Sequence, residues 1–311
     1  MNIYQKKLDR RRFLGVLGCT GAALFLGQSR GLAVEGAPLL KPIPVTGEMI
    51  PAIGMGTWIT FNVGNDPALR AVRVEILKAF FEGGGGMIDS SPMYGTAEDV
   101  VGHCLENLGE TEGLFSATKV WTRFGGRGPA QMDQSRNLWG VERFDLMQVH
   151  NLLAWADHLR TLREDKEEGR IRYLGITTSS GRRHDEFEKI MREEPVDFVQ
   201  LTYNILDREA EARLLPLAAE RGIAVIANRP FRQKELIRRF ENHPLPEWAG
   251  EIDCDNWPQF LLKFIVSHPA VTCAIPATSQ VEHMRENMGA LYGRMPDEEM
   301  RARMIRYVEG L

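Results

Sequence analysis

From residue 38 onward the chain alternates short apolar runs, rich in β-branched residues, with polar turns and segments of helical periodicity. That alternation constrains the fold strongly, because a strand followed by a helix returns the chain to the same sheet as a right-handed parallel crossover. Candidate strands span residues 53–58, 87–90, 115–120, 145–150, 172–177, 198–202, 223–228 and 272–275. Eight such units predict a (β/α)8 TIM barrel, an α/β fold whose usual length of roughly 250 residues suits this span. The competing doubly wound open sheet calls for a G-x-G-x-x-G turn after the first strand, and none stands there. The consecutive glycines Gly83 to Gly86 precede a strand and read as a helix-to-strand turn.

The helical segments carry their own stop signals. Residues 156–168 place Leu159 and Leu162 on one face and stop at Gly169; residues 209–221 turn Leu214, Leu215 and Ala218 inward and stop at Gly222. Glycine suits the left-handed position that closes a helix. Between Asn228 and Thr272 the rhythm lengthens, with a stretch over 231–240, a proline- and acid-bearing stretch over 243–255 and a helix over 257–267. This predicts an elaborated seventh βα loop over the active face of the barrel. A C-terminal helix over 297–309, with Met300, Met304 and Val308 at i, i+4 and i+8, is expected to pack outside.

The first 33 residues are a different material. Asp9-Arg10-Arg11-Arg12-Phe13-Leu14 leads into an apolar, Gly- and Ala-rich run from Phe13 to Gly27, followed by small residues at Gly31 and Ala33. The run is short for a bilayer span, and the basic start, apolar middle and small-x-small exit resemble a twin-arginine export leader. The expected organisation is a signal peptide over 1–33, cleaved after Ala33, and a barrel over 34–311. The mature chain is then periplasmic, with the export machinery as a partner and no membrane anchor. The leader is basic, so the remainder is more acidic than the whole chain's formal charge of −4, and no basic stripe offers a nucleic-acid footprint. Four cysteines without a C-x-x-C pair exclude a disulfide scaffold and a zinc cluster; Cys104, Cys254 and Cys273 read as buried apolar residues.

In a barrel, chemistry gathers where strands end at the C-terminal face. The second candidate strand brings Asp89 there, with Tyr94 five residues later; the third brings Lys119 and the fourth His150. A phenol, with an ordinary pKa of roughly 10, becomes a usable proton donor beside an ammonium that stabilises its phenolate. Lys119 supplies that cation, Asp89 holds it charged and oriented, and His150 can hydrogen-bond a developing alkoxide. The set suits protonation of a carbonyl oxygen while hydride attacks its carbon. Of seven histidines only His150 falls at a strand end and no H-x-H occurs, so no metal site is expected. Trp58 and Trp121 are positioned to wall a pocket, whereas Trp139 and Trp155 read as helix packing.

Across residues 38–292 the chain resembles the aldo-keto reductase family. The matching stretches are Ile53-Gly54-Met55-Gly56-Thr57-Trp58, Met87-Ile88-Asp89-Ser90-Ser91-Pro92-Met93-Tyr94-Gly95, Thr118-Lys119, Gln148-Val149-His150-Asn151 and Gly169-Arg170-Ile171-Arg172-Tyr173-Leu174-Gly175-Ile176. The resemblance implies carbonyl reduction on a small-molecule substrate, with Tyr94 as general acid and NADP or NAD lying across the C-terminal face. It implies cofactor contacts from Thr57, from Thr177 and Thr178 after strand five, from Gln200 to the carboxamide, and from Asn228, Arg229, Thr278, Glu286 and Asn287. The chain departs from the family pattern in two respects. Asn228 stands where an aromatic stacks on the nicotinamide, and Ala277-Thr278 with His283 replace the lysine and arginine that hold a 2′-phosphate, leaving Arg229 or Arg285 to compensate. The alternative reading is an exported binding or interaction protein that keeps the four residues without turnover.

Overall fold

The computed structural model describes residues 36–109 and 113–311; the leader expected over 1–33 lies outside the described residues. A hairpin comes first, β1 (Leu40–Pro42) antiparallel to β2 (Met49–Pro51) with Lys41 opposite Ile50. One parallel sheet follows in chain order: β3 (Met55–Gly56), β4 (Met87–Asp89), β5 (Phe115–Val120), β6 (Phe144–Val149), β7 (Ile171–Thr177), β8 (Phe198–Thr202), β9 (Ala224–Asn228) and β10 (Cys273–Ala274). Ile53 bridges Ala274 in parallel, and Gly54 N–H donates to the Ala274 carbonyl at 2.8 Å, so the sheet closes into a (β/α)8 barrel. The first and last barrel strands are shorter than the sequence suggests. At this seam Gly56 N–H donates to the Pro276 carbonyl at 3.0 Å, and Pro276, having no N–H, ends the ladder.

Around the barrel run α1 (Pro67–Glu82), α2 (Ala97–Leu108), α3 (Gly128–Trp139), α4 (Trp155–Glu167), α5 (His184–Glu193), α6 (Leu214–Arg221), α7 (Glu235–Phe240), α8 (Trp257–Val266), α9 (Val281–Gly289) and α10 (Glu298–Glu309). Asp66 caps α1 by accepting from the Ala68 and Leu69 amides at 2.9 and 3.0 Å, and Asp297 caps α10 by accepting from Met300 at 2.8 Å. Gly169 and Gly222 take positive φ of 74° and 65° beyond the ends of α4 and α6. The helix expected over 209–221 breaks into a 3₁₀ turn, Glu209–Ala212, and α6. Pro216 explains the break: it lacks an N–H and its ring collides with the carbonyl four residues back, so it is tolerated only in a first turn. The elaborated seventh loop contains α7 and a 3₁₀ stretch, Glu247–Ile252, before α8.

Strand side chains alternate between the barrel interior and the helices. On β5, Phe115, Ala117 and Lys119 point inward; on β7, Tyr173, Gly175 and Thr177; on β8, Phe198 and Gln200. The lower interior is therefore apolar. The rings of Phe115, Tyr173 and Phe198 meet there with centroids 5.4 to 6.0 Å apart, beside Leu146, Ile226 and Cys273. The β1–β2 hairpin, not foreseen because its three-residue strands carry too little pattern, closes the bottom with Ile43 and Ile50. Tyr173 fastens it, its hydroxyl donating to Glu48 Oε2 at 2.6 Å and lying 2.8 Å from Thr46 Oγ1. Among the described residues no helix is long and apolar enough to cross a membrane.

Gly175 shows how tightly the interior is filled. A Cβ there would lie 2.7 Å from the Phe198 carbonyl oxygen and 3.3 Å from Gln148 Cγ. Gly175→Ala is expected to destabilise the barrel by about 1–3 kcal/mol, read as a lowered urea midpoint at unchanged slope.

Candidate active site

The polar layer above the aromatic plug is built on one carboxylate. Asp89, at the end of β4, accepts Lys119 Nζ on Oδ2 at 2.5 Å, and on Oδ1 it accepts Gln148 Nε2 at 3.0 Å and Gln200 Nε2 at 2.9 Å. Lys119 also donates to the Ser90 carbonyl at 2.8 Å. Both charges are buried, Lys119 being 1% and Asp89 2% exposed. Burial alone would discharge the ammonium, but Asp89 and the neighbouring Tyr94 outweigh it and hold the Lys119 pKa above its ordinary value. Gln148 was not foreseen as part of the site. Its signal was available: it lies two residues before His150, within the candidate strand over 145–150, and so shares its parity.

Tyr94 ends a 3₁₀ turn, Pro92–Tyr94, capped by Ser91, whose hydroxyl accepts from the Met93 amide at 3.2 Å. Lys119 Nζ lies 5.2 Å from the centre of the Tyr94 ring, and the His150 ring stands edge-on to it at 5.7 Å. Burial raises the Tyr94 pKa by more than Lys119 lowers it. The cation's pull is present, but desolvation is larger, and Tyr94 rests as a protonated acid. His150, one residue past β6, sits with Nδ1 2.8 Å from Ser91 Oγ. When Ser91 donates to Nδ1 in this contact, the imidazole proton stands on Nε2. Burial, and then the charge of Lys119, depress the His150 pKa to about 3, so the ring is neutral.

A cavity of about 600 Å³ opens over this layer. Thr57, Trp58, Asp89, Tyr94, His150, Thr177, Thr178, Gln200, Asn228 and Arg229 all line it, while Lys119 lies beneath, covered by Asp89 and Tyr94. Trp121, Thr278, Glu286 and Asn287 do not. Trp121 is 41% exposed beyond β5, its backbone N–H and C=O held by the Gln131 side chain at 2.6 and 3.0 Å. Thr278 is buried and accepts the Gln280 amide at 3.1 Å, and Glu286 and Asn287 lie on α9. Gln200, implied as a carboxamide contact, spends its amide N–H on Asp89, and its Oε1 lies 3.5 Å from Asn228 Nδ2. Phe231, unforeseen, brings an aromatic to the wall three residues after Asn228. Arg285 is paired with Glu282 on α9, away from the cavity.

The lip of the cavity is rich in hydroxyls, amides and backbone groups at the ends of β7, β8 and β9, with Arg182 and Arg229 close by. This donor set fits a nucleotide better than a metal. Among the described residues no group of three or more His, Cys, Asp or Glu side chains could hold a metal ion. Cys104, Cys254 and Cys273 are buried and unpaired.

The Aldo/keto reductase family model matches residues 52–304. A methylglyoxal reductase of Escherichia coli K12 is 27% identical over 267 residues, covering 84% of this chain and 92% of its own. An NADH-specific methylglyoxal reductase of the same organism is 27% identical over 316 residues, covering 83% and 95%. Among solved structures, an aldo/keto reductase from Klebsiella pneumoniae in complex with NADP and acetate superposes with a TM-score of 0.70 at 24% identity, covering 84% of this chain and 92% of that one.

Two predictions follow from the geometry of the layer. Asp89→Asn leaves the Lys119 charge buried without its counter-ion, and a loss of about 3–5 kcal/mol in chemical denaturation is expected. For His150, the unfolded imidazole titrates at its ordinary 6.5 whereas the folded one stays neutral to about 3. Its contribution to stability is therefore full above pH 6.5 and is lost as the pH falls toward 3. His150→Gln should flatten that part of the stability profile, followed by thermal melts across the range.

Proposed function

The chain belongs to the aldo/keto reductase family, and we propose that it is an NAD(P)H-dependent reductase of small aldehydes and ketones in which Tyr94 is the general acid. The observation that carries this reading is the neutral, protonated Tyr94 set on a buried Lys119–Asp89 pair at the floor of the cavity. A reduced nicotinamide, when bound, supplies the hydride. The protein's task is to hold the carbonyl and supply a proton at its oxygen. His150, neutral and with its proton on Nε2, donates a hydrogen bond to that oxygen and fixes it beside the Tyr94 hydroxyl. As negative charge builds on the oxygen, Tyr94 gives up its proton. Lys119, close beneath the ring, then stabilises the phenolate that burial alone disfavours. Asp89 keeps the lysine charged throughout, and the two glutamines keep Asp89 in place.

For the nucleotide, Thr57, Thr177, Thr178, Asn228 and Arg229 line the cavity where it would lie, and Phe231 offers an apolar face near Asn228. Arg229 and Arg182 are the guanidinium groups left to meet a phosphate on that side, since Ala277 and Thr278 carry no charge. We read the cofactor as NADP or NAD on this basis; the relatives named above comprise an NADH-specific reductase and a structure holding NADP. With the arginine-pair leader over 1–33, the proposal extends to a periplasmic enzyme exported with its nucleotide already seated.

Calorimetric titration of the leader-free chain with NADPH and with NADH should show binding of at least one. Tyr94→Phe should lower kcat/KM for methylglyoxal about 10²–10⁴-fold and leave nucleotide affinity within about threefold. Absence of binding by both nucleotides, or equal turnover by wild type and Tyr94→Phe, overturns the reading.

A further inference from the structure

Of the cations lining the cavity, Arg182, Arg229 and Lys234 reach solvent, whereas Arg73 is buried and has no counter-ion among the described residues. Arg73, on α1, is 7% exposed and lines the cavity. Its Nε donates to the Thr60 carbonyl at 2.8 Å, and its two terminal nitrogens have no hydrogen-bond or ion-pair partner among the described residues. Arg70, one turn earlier, shows the ordinary arrangement: it pairs with Asp99 and donates to Asn65 Oδ1 and to the Gly64 carbonyl. Beside Arg73, Thr60 Oγ1 is buried without a hydrogen-bond partner among the described residues, and Thr60 lines the same cavity. The two are joined by the hydrogen bond from Arg73 Nε to the Thr60 carbonyl and line the cavity together with Trp58 and Tyr94.

A buried guanidinium is costly unless an anion answers it, and its planar fork matches a carboxylate or a phosphate in two parallel hydrogen bonds. Among the described residues nothing supplies that anion. Burial weakens the Arg73 charge, and only the Cys104 thiol lies near enough to offset it. We propose that Arg73 and Thr60 form the anion-recognition end of the substrate pocket, so that the preferred substrates are aldehydes or ketones that also carry a carboxylate or a phosphate. The proposal rests on the reductase reading for its substrate and on Arg73 alone for its charge. Trp58, 37% exposed, covers the apolar middle of such a molecule while its carbonyl meets Tyr94 and His150.

The test uses the holoenzyme and two matched pairs, 4-oxobutanoate against butanal and glyceraldehyde 3-phosphate against glyceraldehyde. At least one charged member should exceed its neutral partner about tenfold in kcat/KM, and the pair that does so distinguishes carboxylate from phosphate. Arg73→Met should reduce that ratio by at least about 30-fold, Arg73→Lys by less because the charge remains and the fork does not, and Thr60→Val by a few-fold. A second readout needs no turnover: succinate or inorganic phosphate should raise the melting temperature of the wild-type protein and not of Arg73→Met. Ratios near one for both wild-type pairs, or a ratio unchanged in Arg73→Met, overturn the proposal. Failure to reduce any of the four aldehydes removes the reductase reading instead, and the thermal titration then decides the anion site by itself.

Discussion

A lysine and an aspartate held together out of water are the constraint around which the upper barrel is arranged. The pair is affordable only because Lys119 keeps a second acceptor, the Ser90 carbonyl, and Asp89 keeps two amide donors on its other oxygen. Four strands must therefore end at matched heights, β4 for Asp89, β5 for Lys119, β6 for Gln148 and β8 for Gln200. The register does this: Lys119 lies opposite Gln148 across β5 and β6, and Thr177 opposite Gln200 across β7 and β8. Tyr94 and His150 are then placed against a charge that has nowhere to move.

What lies below explains why it does not move. Phe115, Tyr173 and Phe198 fill the barrel under the ion pair, and the hairpin closes the end with Ile43 and Ile50. Lys119 is 1% exposed over this apolar layer, and the groups that set its charge are Asp89 and Tyr94 beside it. The same desolvation that raises the Tyr94 pKa depresses that of His150, giving two neutral proton carriers over one fixed cation.

Most of this was legible because it depends on periodicity. The strand-helix alternation gave the barrel, and the polar residues at strand ends gave Asp89, Lys119 and His150 their places. Gln148 was hidden because a glutamine in an apolar run looks like a lapse until its parity with His150 is counted. Ser91 was hidden because its contact with His150 joins residues 59 positions apart, which only the fold brings together. Arg73 was hidden for a different reason. On a helix an arginine reads as solvated, and only tertiary packing shows that this one turns inward without a carboxylate. The hairpin, two three-residue strands joined by a turn, falls below the length at which alternation can be recognised.

The barrel is closed by little backbone. Gly54 to Ala274, Ala274 to Ala52 and Gly56 to Pro276 are the hydrogen bonds that join its first strand to its last. On either side of that junction stand Thr57 and Trp58 at one lip of the cavity and Ala277 and Ser279 at the other. The junctions beside it are equally short, β3 pairing with β4 and β9 with β10 over two residues each. The molecule thus places its most thinly stitched strands under the mouth of its own cavity, and a guest that grips both lips acts as a clasp across them.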